Sequence, residues 1–565
     1  MTIGSPAEAC DGPFPIGVCQ VLDRELNLWL FFERATTHVA DVPVVTRDPS
    51  GVIRRSSYGE VARRSQQLMH GLDRLGVPPR AVVGTLAGNH QEHLEAYFAI
   101  PCANRVLHTL NPRLSSEHLA HTIQAADDRA LIVDADRLPL LERIPDALAN
   151  VSHLIVIGDG KPSPGLPTAI GYEELLAEQP DIYAQPEIAE RSALAICFTS
   201  GTTGRPKGVV YTHRSSVLQA LTVSTGAGAS LGPSDCVLTA IPMFHANAFA
   251  MPHATLAVGA KHVLSTGSFD PASFVDLLIS ERVTVSAGVP TIWQLVAHEL
   301  QQHPRRLPDL RHILVGGSQL PERLVRVFFE DIGVPLVQGW GMTETSPLVG
   351  MAWPKAEMIG ASDDELLEHV RMRAGLPLPM VTATLRDDAG NELPWDGSAM
   401  GEIWVRSPWV ADGYLGGELA DSFEGGWFHT SDSAVGSPHG YLTIKDRRRD
   451  LIKSGGEWIA SMDMENAIAA IPSVVEVAVI ATPDPRWEER PLPCIAVDGA
   501  TITIQQVRAH LTNQGFPSWQ LPGEIRILDQ LPKTSVGKPD KRALREMFAA
   551  DEPAVIAAVS APTAQ

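Results

Sequence analysis

Hydrophobic and polar positions alternate between two patterns up to about residue 442. Short apolar runs that suit buried strands occur at 130–134, 154–157, 193–198, 237–241 and 313–315. Between them lie stretches with helical spacing, such as 271–282 and 321–330. Buried strands that alternate with helices are typical of a parallel sheet covered by helices, so the pattern predicts an α/β fold.

The pattern changes after about Leu442. A charged run from Lys445 to Asp450 leads into a region with a helical stretch at 462–471 and a strand-like stretch at 474–480. We therefore predict a large N-terminal domain over 1–447 and a small α+β C-terminal domain over 448–550. The segment 551–565, rich in Ala, Pro and Ser, predicts a disordered tail because it offers little apolar surface to bury.

Charge and cysteine content restrict the class of protein. The 565 residues include 66 acids and 45 bases, a net charge of −21 that repels nucleic acid, so we expect no nucleic-acid partner. The six cysteines form no CxxC pair, which fits a reduced, cytoplasmic protein. We find neither a signal-peptide pattern nor an apolar run of 18 residues, and predict no transmembrane segment. The sequence leaves peripheral membrane contact and homodimer formation as possibilities.

The segment 198–209 is the strongest chemical signal. It follows a predicted strand and combines hydroxyl side chains, glycines and Lys207. Glycine lets backbone N–H groups approach an anion, hydroxyls donate to phosphate oxygens and lysine adds a cation, so the segment suits a polyphosphate. It is not a Walker A loop, because Pro206 stands five positions after Gly201 where that pattern needs glycine. An ordinary surface turn could have the same composition.

The segment 338–346 combines an aromatic ring, a hydroxyl and a carboxylate. Trp340, between two glycines, offers a flat face on which a base could stack. Thr343 can donate to a phosphate, and Glu344 can bind a hard divalent ion through oxygen. A buried tryptophan beside a turn would give the same pattern.

Three more segments are weak signals individually and indicate a function only when taken together. Asp432 could accept both hydroxyls of a ribose, although aspartate is also a common turn residue. Gly455 and Gly456 would allow an extended ligand to approach the backbone closely. Lys538 follows Gly537 in a predicted exposed loop. Most exposed lysines only aid solubility, but one that enters a site could neutralise charge between a carboxylate and a phosphate.

In this order, the five segments resemble the motifs of the adenylate-forming superfamily and, within it, the medium- and long-chain fatty acyl-CoA synthetases. The resemblance covers residues from about 25 to 548 and includes Trp-Gly-Met-Thr-Glu-Thr and Pro-Lys-Thr-Ser-x-Gly-Lys. It implies stacked α/β subdomains in the N-terminal domain. It also implies a mobile C-terminal domain that moves between two orientations.

The resemblance implies a nucleotide site. The residues expected to hold the phosphates are Thr199, Ser200, Gly201, Thr202, Thr203, Gly204, Lys207 and, at the α-phosphate, Thr343. Those expected around adenine and ribose are Gly317, Gln338, Gly339, Trp340, Asp432 and Arg447. Those expected to close on the adenylate or support the domain movement are Arg449, Lys453 and Trp458. Thr199 and Glu344 would hold Mg²⁺.

It also implies catalytic and acyl-binding residues. The catalytic set is Lys538, Glu344 and His245. The acyl pocket would be lined by Phe244, Ala246, Phe249, Ala287, Gly288 and Val289. His245 could border the substrate carboxylate or be a buried, satisfied histidine. We see no lysine or arginine near these segments to pair with a second carboxylate, which favours an aliphatic tail.

The sequence departs from the family pattern at three positions. Ser431 replaces the glycine of Thr-Gly-Asp, and Arg449 replaces the lysine or aspartate common at the hinge. Phe249 stands where tryptophan is frequent, which leaves the preferred chain length open.

The expected reaction has two halves. ATP would activate a medium- or long-chain fatty acid to acyl-AMP with release of pyrophosphate, and CoA would then take the acyl group and release AMP. The expected small molecules are the acid, ATP, Mg²⁺ and CoA. Three alternatives stay open: delivery to a carrier protein, an aryl or steroid side-chain acid, and a nucleotide-binding regulator without turnover.

Overall fold

A computed structural model describes residues 24–199, 205–358, 360–417, 420–499, 501–534 and 538–548. Two predictions lie outside these residues. They concern the phosphate-binding residues Ser200, Gly201, Thr202, Thr203 and Gly204, and the tail at 551–565.

Helices and strands alternate along the described chain. The helices are α1 (Trp29–Thr37), α2 (Tyr58–Arg74), α3 (Gln91–Cys102), α4 (Ser116–Ala126), α5 (Leu138–Leu141), α6 (Tyr172–Leu176), α7 (His213–Ser224), α8 (Ala246–Phe249), α9 (Met251–Val258), α10 (Pro271–Ser280), α11 (Pro290–Gln302), α12 (Glu322–Arg326), α13 (Asp363–Leu366), α14 (Ser461–Ala469), α15 (Ile504–Asn513) and α16 (Lys541–Phe548). The strands are β1 (Pro43–Arg47), β2 (Ile53–Ser57), β3 (Val82–Leu86), β4 (Val106–Thr109), β5 (Asp128–Asp134), β6 (His153–Ile157), β7 (Thr168–Gly171), β8 (Ala193–Phe198), β9 (Gly208–Thr212), β10 (Cys236–Thr239), β11 (Lys261–Ser265), β12 (Val285–Gly288), β13 (His312–Val315), β14 (Leu336–Gly341), β15 (Leu348–Met351), β16 (Leu376–Pro377), β17 (Thr382–Arg386), β18 (Met400–Arg406), β19 (Phe423–Glu424), β20 (Trp427–Gly436), β21 (Leu442–Arg447), β22 (Ile452–Ser454), β23 (Glu457–Ile459), β24 (Val474–Asp484), β25 (Glu488–Val497) and β26 (Arg526–Ile527).

Two large, mainly parallel sheets form most of the N-terminal region. One has nine strands in the order β16-β15-β14-β13-β12-β10-β11-β1-β2, and the other has seven in the order β7-β6-β5-β3-β4-β8-β9. Helix α3 contacts β1 of the first sheet and β3 and β4 of the second, and all its residues are buried. A helix that is buried all round needs apolar neighbours on every side, so α3 lies between the two sheets.

Two smaller sheets follow. Strands β17, β18, β20 and β19 form an antiparallel sheet, and β21 pairs with β20. The last sheet has the order β23-β22-β25-β24, with β26 on β25, and helices α14 and α16 pack on β24. The chain therefore passes from one sheet to the next between Arg447 and Ile452.

The predicted fold class, a large α/β region followed by a smaller C-terminal one, is confirmed. Strand β8 has the predicted bounds, and α10 starts at the predicted proline. The stretch predicted as one helix over 321–330 differs, because α12 ends at Arg326 and a wider π-helical turn continues to Ile332. Among the described residues, no helix is long and apolar enough to span a bilayer.

The turn between β14 and β15 requires glycine at position 341. A Cβ atom built on Gly341 would lie 1.8 Å from the carbonyl oxygen of Pro347, a backbone atom that cannot rotate away. We expect Gly341→Ala to lower the free energy of unfolding by about 2 kcal/mol or more, measured by urea denaturation. The control is Gly226→Ala, where a Cβ atom meets nothing within 4 Å, and its effect should stay within about 0.5 kcal/mol. Equal effects of the two substitutions would contradict this account of the turn.

Candidate functional site

The carboxylate of Asp432 joins three strands from two sheets. Asp432 lies on β20 beside Arg447 of β21, and the guanidinium of Arg447 donates to Oδ1 at 2.6 Å. The indole N–H of Trp340, on β14 of the nine-stranded sheet, donates to Oδ2 at 2.9 Å. Asp432 and Trp340 are only 5% and 8% exposed, so water competes little for these bonds.

The predicted phosphate-binding segment lies between β8 and β9, which pair as antiparallel strands and are called the phosphate hairpin below. At its base the backbone N–H of Thr199 donates to the carbonyl of Lys207 at 2.9 Å. The Lys207 amine lies 5.3 Å from the ring centroid of Tyr414, and the Tyr414 hydroxyl donates to Glu344 at 2.6 Å. One tyrosine therefore connects the cation of the hairpin to the carboxylate expected at the metal.

Sequence reasoning missed Tyr414 and a second tyrosine. Burial, and then the charge of Glu344, raise the pKa of Tyr414, so its hydroxyl keeps its proton and can donate. The buried hydroxyl of Tyr211, on β9, donates to the carbonyl of Thr343 at 2.8 Å. Both tyrosines lie outside the recognised motifs, and an isolated aromatic residue gave no signal that it would contact a site residue.

The residues around Glu344 suit a magnesium ion. No group of three or more His, Cys, Asp or Glu side chains that could hold a metal occurs within the described ranges. Magnesium is commonly held by one or two carboxylates together with water and substrate phosphates, so it needs no such group. The Glu344 carboxylate and the Thr199 hydroxyl are hard oxygen donors beside the phosphate hairpin, and one oxygen of Glu344 is already bonded to Tyr414.

The residues expected around adenine lie at the carboxyl end of β13 and on the part of β14 beside it. Gly317 follows β13 with a φ of 89°, and Gln338 pairs with Val315. Gly339 follows Gln338 on β14. Ligands bind at this edge in open α/β sheets. The indole of Trp340 packs in a hydrophobic cluster and donates to Asp432, in place of the open stacking face that the sequence suggested.

Four of the expected acyl-pocket residues lie at or next to the carboxyl end of β13, which is followed by Gly316 and Gly317. A Cβ atom built on Gly316 would come within 2.9 Å of the Phe249 ring, and one built on Gly317 within 3.4 Å of Val289. Ala287 and Gly288 end strand β12, which pairs directly with β13. Gly316 and Gly317 therefore leave room for the side chains of Phe249 and Val289. These lie next to the carboxyl end of β13 and the adjacent part of β14, called the nucleotide edge below because the expected adenine residues lie there.

Phe244 and His245 line one cleft together with Thr199 and Asn111. The end of β8, next to the predicted phosphate-binding segment, and the acyl segment therefore line the same cleft. The guanidinium of Arg113 lies 5.9 Å from the Phe244 ring centroid. This corrects the expectation that no arginine is near the acyl segments. Arg113 is distant from them in sequence, and the fold of the seven-stranded sheet brings it there.

The acyl segment has a backbone conformation that the sequence did not indicate. Residues 246–250 comprise the short element α8, whose backbone is not that of a right-handed helix, and Ala250. They include no glycine and have φ values of 43°, 49°, 49°, 58° and 60°. This left-handed turn costs roughly 1–2 kcal/mol per residue, so the surroundings must hold it. The Cys197 thiol donates to the side chain of Asn247 at 3.2 Å, and Ala246 in the same turn is buried.

Lys538 lies close to the pair formed by Asp432 and Arg447. Desolvation, and then the charge of Arg447, lower the pKa of Lys538 to about 8, and Asp432 opposes them. More than a third of the residue stays exposed to solvent, so we attribute the direction of the shift mainly to Arg447. Burial, and then the charge of Lys538, lower the pKa of His245 to about 4, which makes it neutral at pH 7.

The remaining expected residues lie farther out. Lys453 and Trp458 pair across the β22–β23 hairpin, where the Lys453 amine lies 3.2 Å from Glu488 and Trp458 is 44% exposed. Arg449 lies 3.8 Å from Asp450 in the connection between the two sheets. The structure thus brings Lys538 toward the nucleotide edge and leaves the hairpin on the outside of the C-terminal sheet.

Comparison with known proteins assigns the chain to a family. The model of the AMP-binding enzymes matches residues 31–415, and that of the AMP-binding enzyme C-terminal domain matches 463–538. A long-chain-fatty-acid–CoA ligase of Thermus thermophilus is 44% identical over 94% of this chain and 96% of its own length. A medium-chain-fatty-acid–CoA ligase of Ectopseudomonas oleovorans is 35% identical over 94% and 97%.

Solved structures agree with this assignment. The anthranilate CoA ligase AuaEII in complex with anthranoyl-AMP superposes with a TM-score of 0.83 at 25% identity, covering 94% of this chain and 98% of the other. ATP-bound MatB from Rhodopseudomonas palustris gives 0.79 at 27% identity, covering 93% and 99%. The chain belongs to the AMP-binding, adenylate-forming enzyme family and is a homologue of the fatty-acid–CoA ligases.

Proposed function

We propose that this enzyme activates a medium- or long-chain fatty acid with ATP, forms an acyl adenylate with release of pyrophosphate, and transfers the acyl group to CoA. The observation that carries the proposal is the position of Lys538, near Asp432, Arg447 and His245. A cation from one domain then faces the nucleotide and acyl residues of the other. The long-chain-fatty-acid–CoA ligase that is 44% identical supports the same reaction.

The proposed nucleotide site uses the carboxyl end of β13 and the part of β14 beside it. Gly317, Gln338 and Gly339 surround adenine, and Asp432 and Arg447 bind the ribose. Trp340 acts through Asp432, because its N–H fixes one carboxylate oxygen. Thr199 and Lys207 bind the outer phosphates, and Thr343 binds the α-phosphate. Residues 200–204 are proposed to bind the outer phosphates as well, because their sequence supplies hydroxyls and glycines.

In the first half-reaction, a carboxylate oxygen of the fatty acid attacks the α-phosphorus of ATP. The bond from that phosphorus to the bridging oxygen of pyrophosphate breaks, and the pyrophosphate carries away the electron pair. Lys538 neutralises the charge on the attacking and bridging oxygens, which is the main demand of such a transfer. Neutral His245 borders the carboxylate without adding a second positive charge. Magnesium, held by Glu344 and Thr199, would supply further charge neutralisation on the phosphates.

In the second half-reaction, the CoA thiolate attacks the acyl carbonyl carbon and AMP leaves. We infer a domain boundary at residues 447/448, since the chain changes sheets between Arg447 and Ile452. Reorientation about Arg449 removes Lys538 from the site. It brings the β22–β23 hairpin, with Lys453 and Trp458, toward the adenylate, where Gly455 and Gly456 let the pantetheine arm pass close to the backbone.

The acyl pocket favours an aliphatic chain. Phe249, Val289 and Ala287 offer apolar surface beside the nucleotide edge, and Phe244, Ala246 and Gly288 extend it. Each buried methylene contributes about 0.8 kcal/mol, so chain length can be selected by the depth of this surface. Arg113 is exposed, beside Phe244 at the cleft, where a cation can attract an acid without desolvation.

We expect CoA-dependent AMP release to increase with chain length. The measurement is kcat/KM for straight-chain acids from about C2 to C20, and each methylene should add about fourfold until the pocket is filled. Aromatic and sterol acids serve as comparison substrates. A higher kcat/KM for them would contradict the fatty-acid assignment, and acyl transfer only to a carrier protein would contradict the CoA step.

Lys538→Ala should separate the two half-reactions. Loss of a positioned charge typically costs on the order of 100-fold in rate, so acid-dependent ATP–pyrophosphate exchange should fall by about that factor. Thioester formation from supplied acyl adenylate should stay within about threefold. Lys533→Ala, which removes a neighbouring lysine that pairs with Glu476, is the matched control and should leave both rates unchanged. An equal fall of both half-reactions in Lys538→Ala would refute the proposed role.

The exchange reaction should depend on pH through Lys538. Its pKa is lowered to about 8, and only the protonated amine neutralises charge, so kcat/KM for ATP should fall as pH rises through about 8. Measurement without CoA avoids titration of the CoA thiol. Lys538→Arg, whose side chain stays charged, should be slower but should lose this decline. A decline that persists in Lys538→Arg would assign it to another group.

A further inference from the structure

A buried carboxylate of the N-terminal region binds the first residue of a C-terminal helix. Asp446 lies on β21, where its pairing with Ser433 fixes it to β20. Its Oδ2 accepts hydrogen bonds from the backbone N–H of Ser461 at 2.7 Å and from the Ser461 hydroxyl at 2.6 Å. Asp446 is 1% exposed and Ser461 is fully buried. One domain therefore caps helix α14 of the other, where a negative charge is favourable.

Lys541 extends this contact to the loop that carries Lys538. It is the first residue of α16, three positions after Lys538. Its amine lies 2.5 Å from the Ser461 hydroxyl and 2.7 Å from Glu465. Burial raises the pKa of both Asp446 and Glu465, and in each case the charge of Lys541 opposes that rise. One lysine thus stabilises a buried and a partly buried carboxylate, one on each side of the proposed domain boundary.

Neighbouring ion pairs are weaker candidates for the same role. Lys445 and Asp463 lie 3.0 Å apart across the boundary, but their side chains are 30% and 41% exposed, so the pair contributes little. Arg545 of α16 also contacts Asp450, within the connection between the sheets. Of these contacts, that of Asp446 with Ser461 is both buried and charged, and Lys541 joins it through the Ser461 hydroxyl.

We propose that Asp446, Ser461 and Lys541 form an inter-domain latch that holds Lys538 in the nucleotide site during the first half-reaction and must open before the second. The proposal rests on the proposed function, since only a two-step reaction needs the C-terminal domain to reorient. Asp446 is fixed to β20, whereas Ser461 moves with the C-terminal sheet, so any rotation between Arg447 and Ile452 displaces one relative to the other. The three are positioning residues, because they act through Lys538 and not on the substrate.

The test measures the two half-reactions separately in Asp446→Asn. This variant keeps the shape of the side chain and removes the charge that strengthens both bonds from Ser461. We expect the ratio of ATP–pyrophosphate exchange to thioester formation from supplied acyl adenylate to fall by about tenfold. Ser461→Ala, which keeps the backbone N–H, should shift the ratio in the same direction by a smaller factor and is the second variant if Asp446→Asn does not fold.

The matched control is Arg542→Gln. Arg542 is exposed, adjoins Lys541 on α16 and pairs with Glu546 at 2.8 Å, so its removal should leave the ratio within about twofold. If both half-reactions fall equally in Asp446→Asn and Ser461→Ala, or if neither changes, the latch is wrong although the proposed function stands. If the unmodified enzyme shows no pyrophosphate exchange with any acid, the proposed function fails and the latch fails with it.

Discussion

The site depends on the carboxylate of Asp432, whose two oxygens are bonded to residues from different sheets. Arg447 reaches it from the neighbouring strand, and Trp340 reaches it from the nine-stranded sheet. Removing either donor would leave a buried charge incompletely bonded, which is more costly than the loss of an ordinary hydrogen bond. This requirement fixes the small antiparallel sheet relative to the adenine edge. The residues proposed for ribose and those proposed for adenine are thereby held in a fixed relative position. Arg447 is also the last residue of β21, before the chain enters the C-terminal region.

The two lysines proposed for the first half-reaction are held in different ways. Lys207 precedes β9 and is connected through Tyr414 to Glu344, whereas Lys538 belongs to the C-terminal region, where desolvation and then the charge of Arg447 lower its pKa. A lowered pKa means that the protonated lysine is less stable in the site without nucleotide, and the phosphates of ATP would raise this pKa again. The proposed latch of Asp446, Ser461 and Lys541 stabilises the position of Lys538 through contacts outside the nucleotide site. Lys538 can then enter and leave the site while the nucleotide stays bound.

The sequence predicted the α/β class and the order of the site segments, because strand runs, glycine-rich turns and motif spacing are local properties. It also identified Asp432, Arg447 and Lys538, which the structure brings close to one another. It could not show Tyr414, Arg113 or the latch, since each depends on a contact between residues far apart in the chain. The left-handed turn at 246–250 was equally hidden, because alanine and asparagine there carry no sign of a positive φ that packing imposes. For Trp340, the motif allowed either a stacking face for a base or a buried side chain beside a turn. The indole is buried in a hydrophobic cluster, and its N–H donates to Asp432.

The central claim is that Lys538 and the Asp432 site together make a mixed anhydride from a fatty acid and ATP. The most direct measurement is to mix the purified enzyme with ATP, Mg²⁺ and a straight-chain fatty acid without CoA, quench in acid, and determine bound acyl-AMP by mass spectrometry. The account predicts close to one acyl-AMP per enzyme molecule, which disappears when CoA is added as acyl-CoA and AMP form. Absence of any acyl-AMP with acids across the range of chain lengths, while ATP binding is intact, would contradict it.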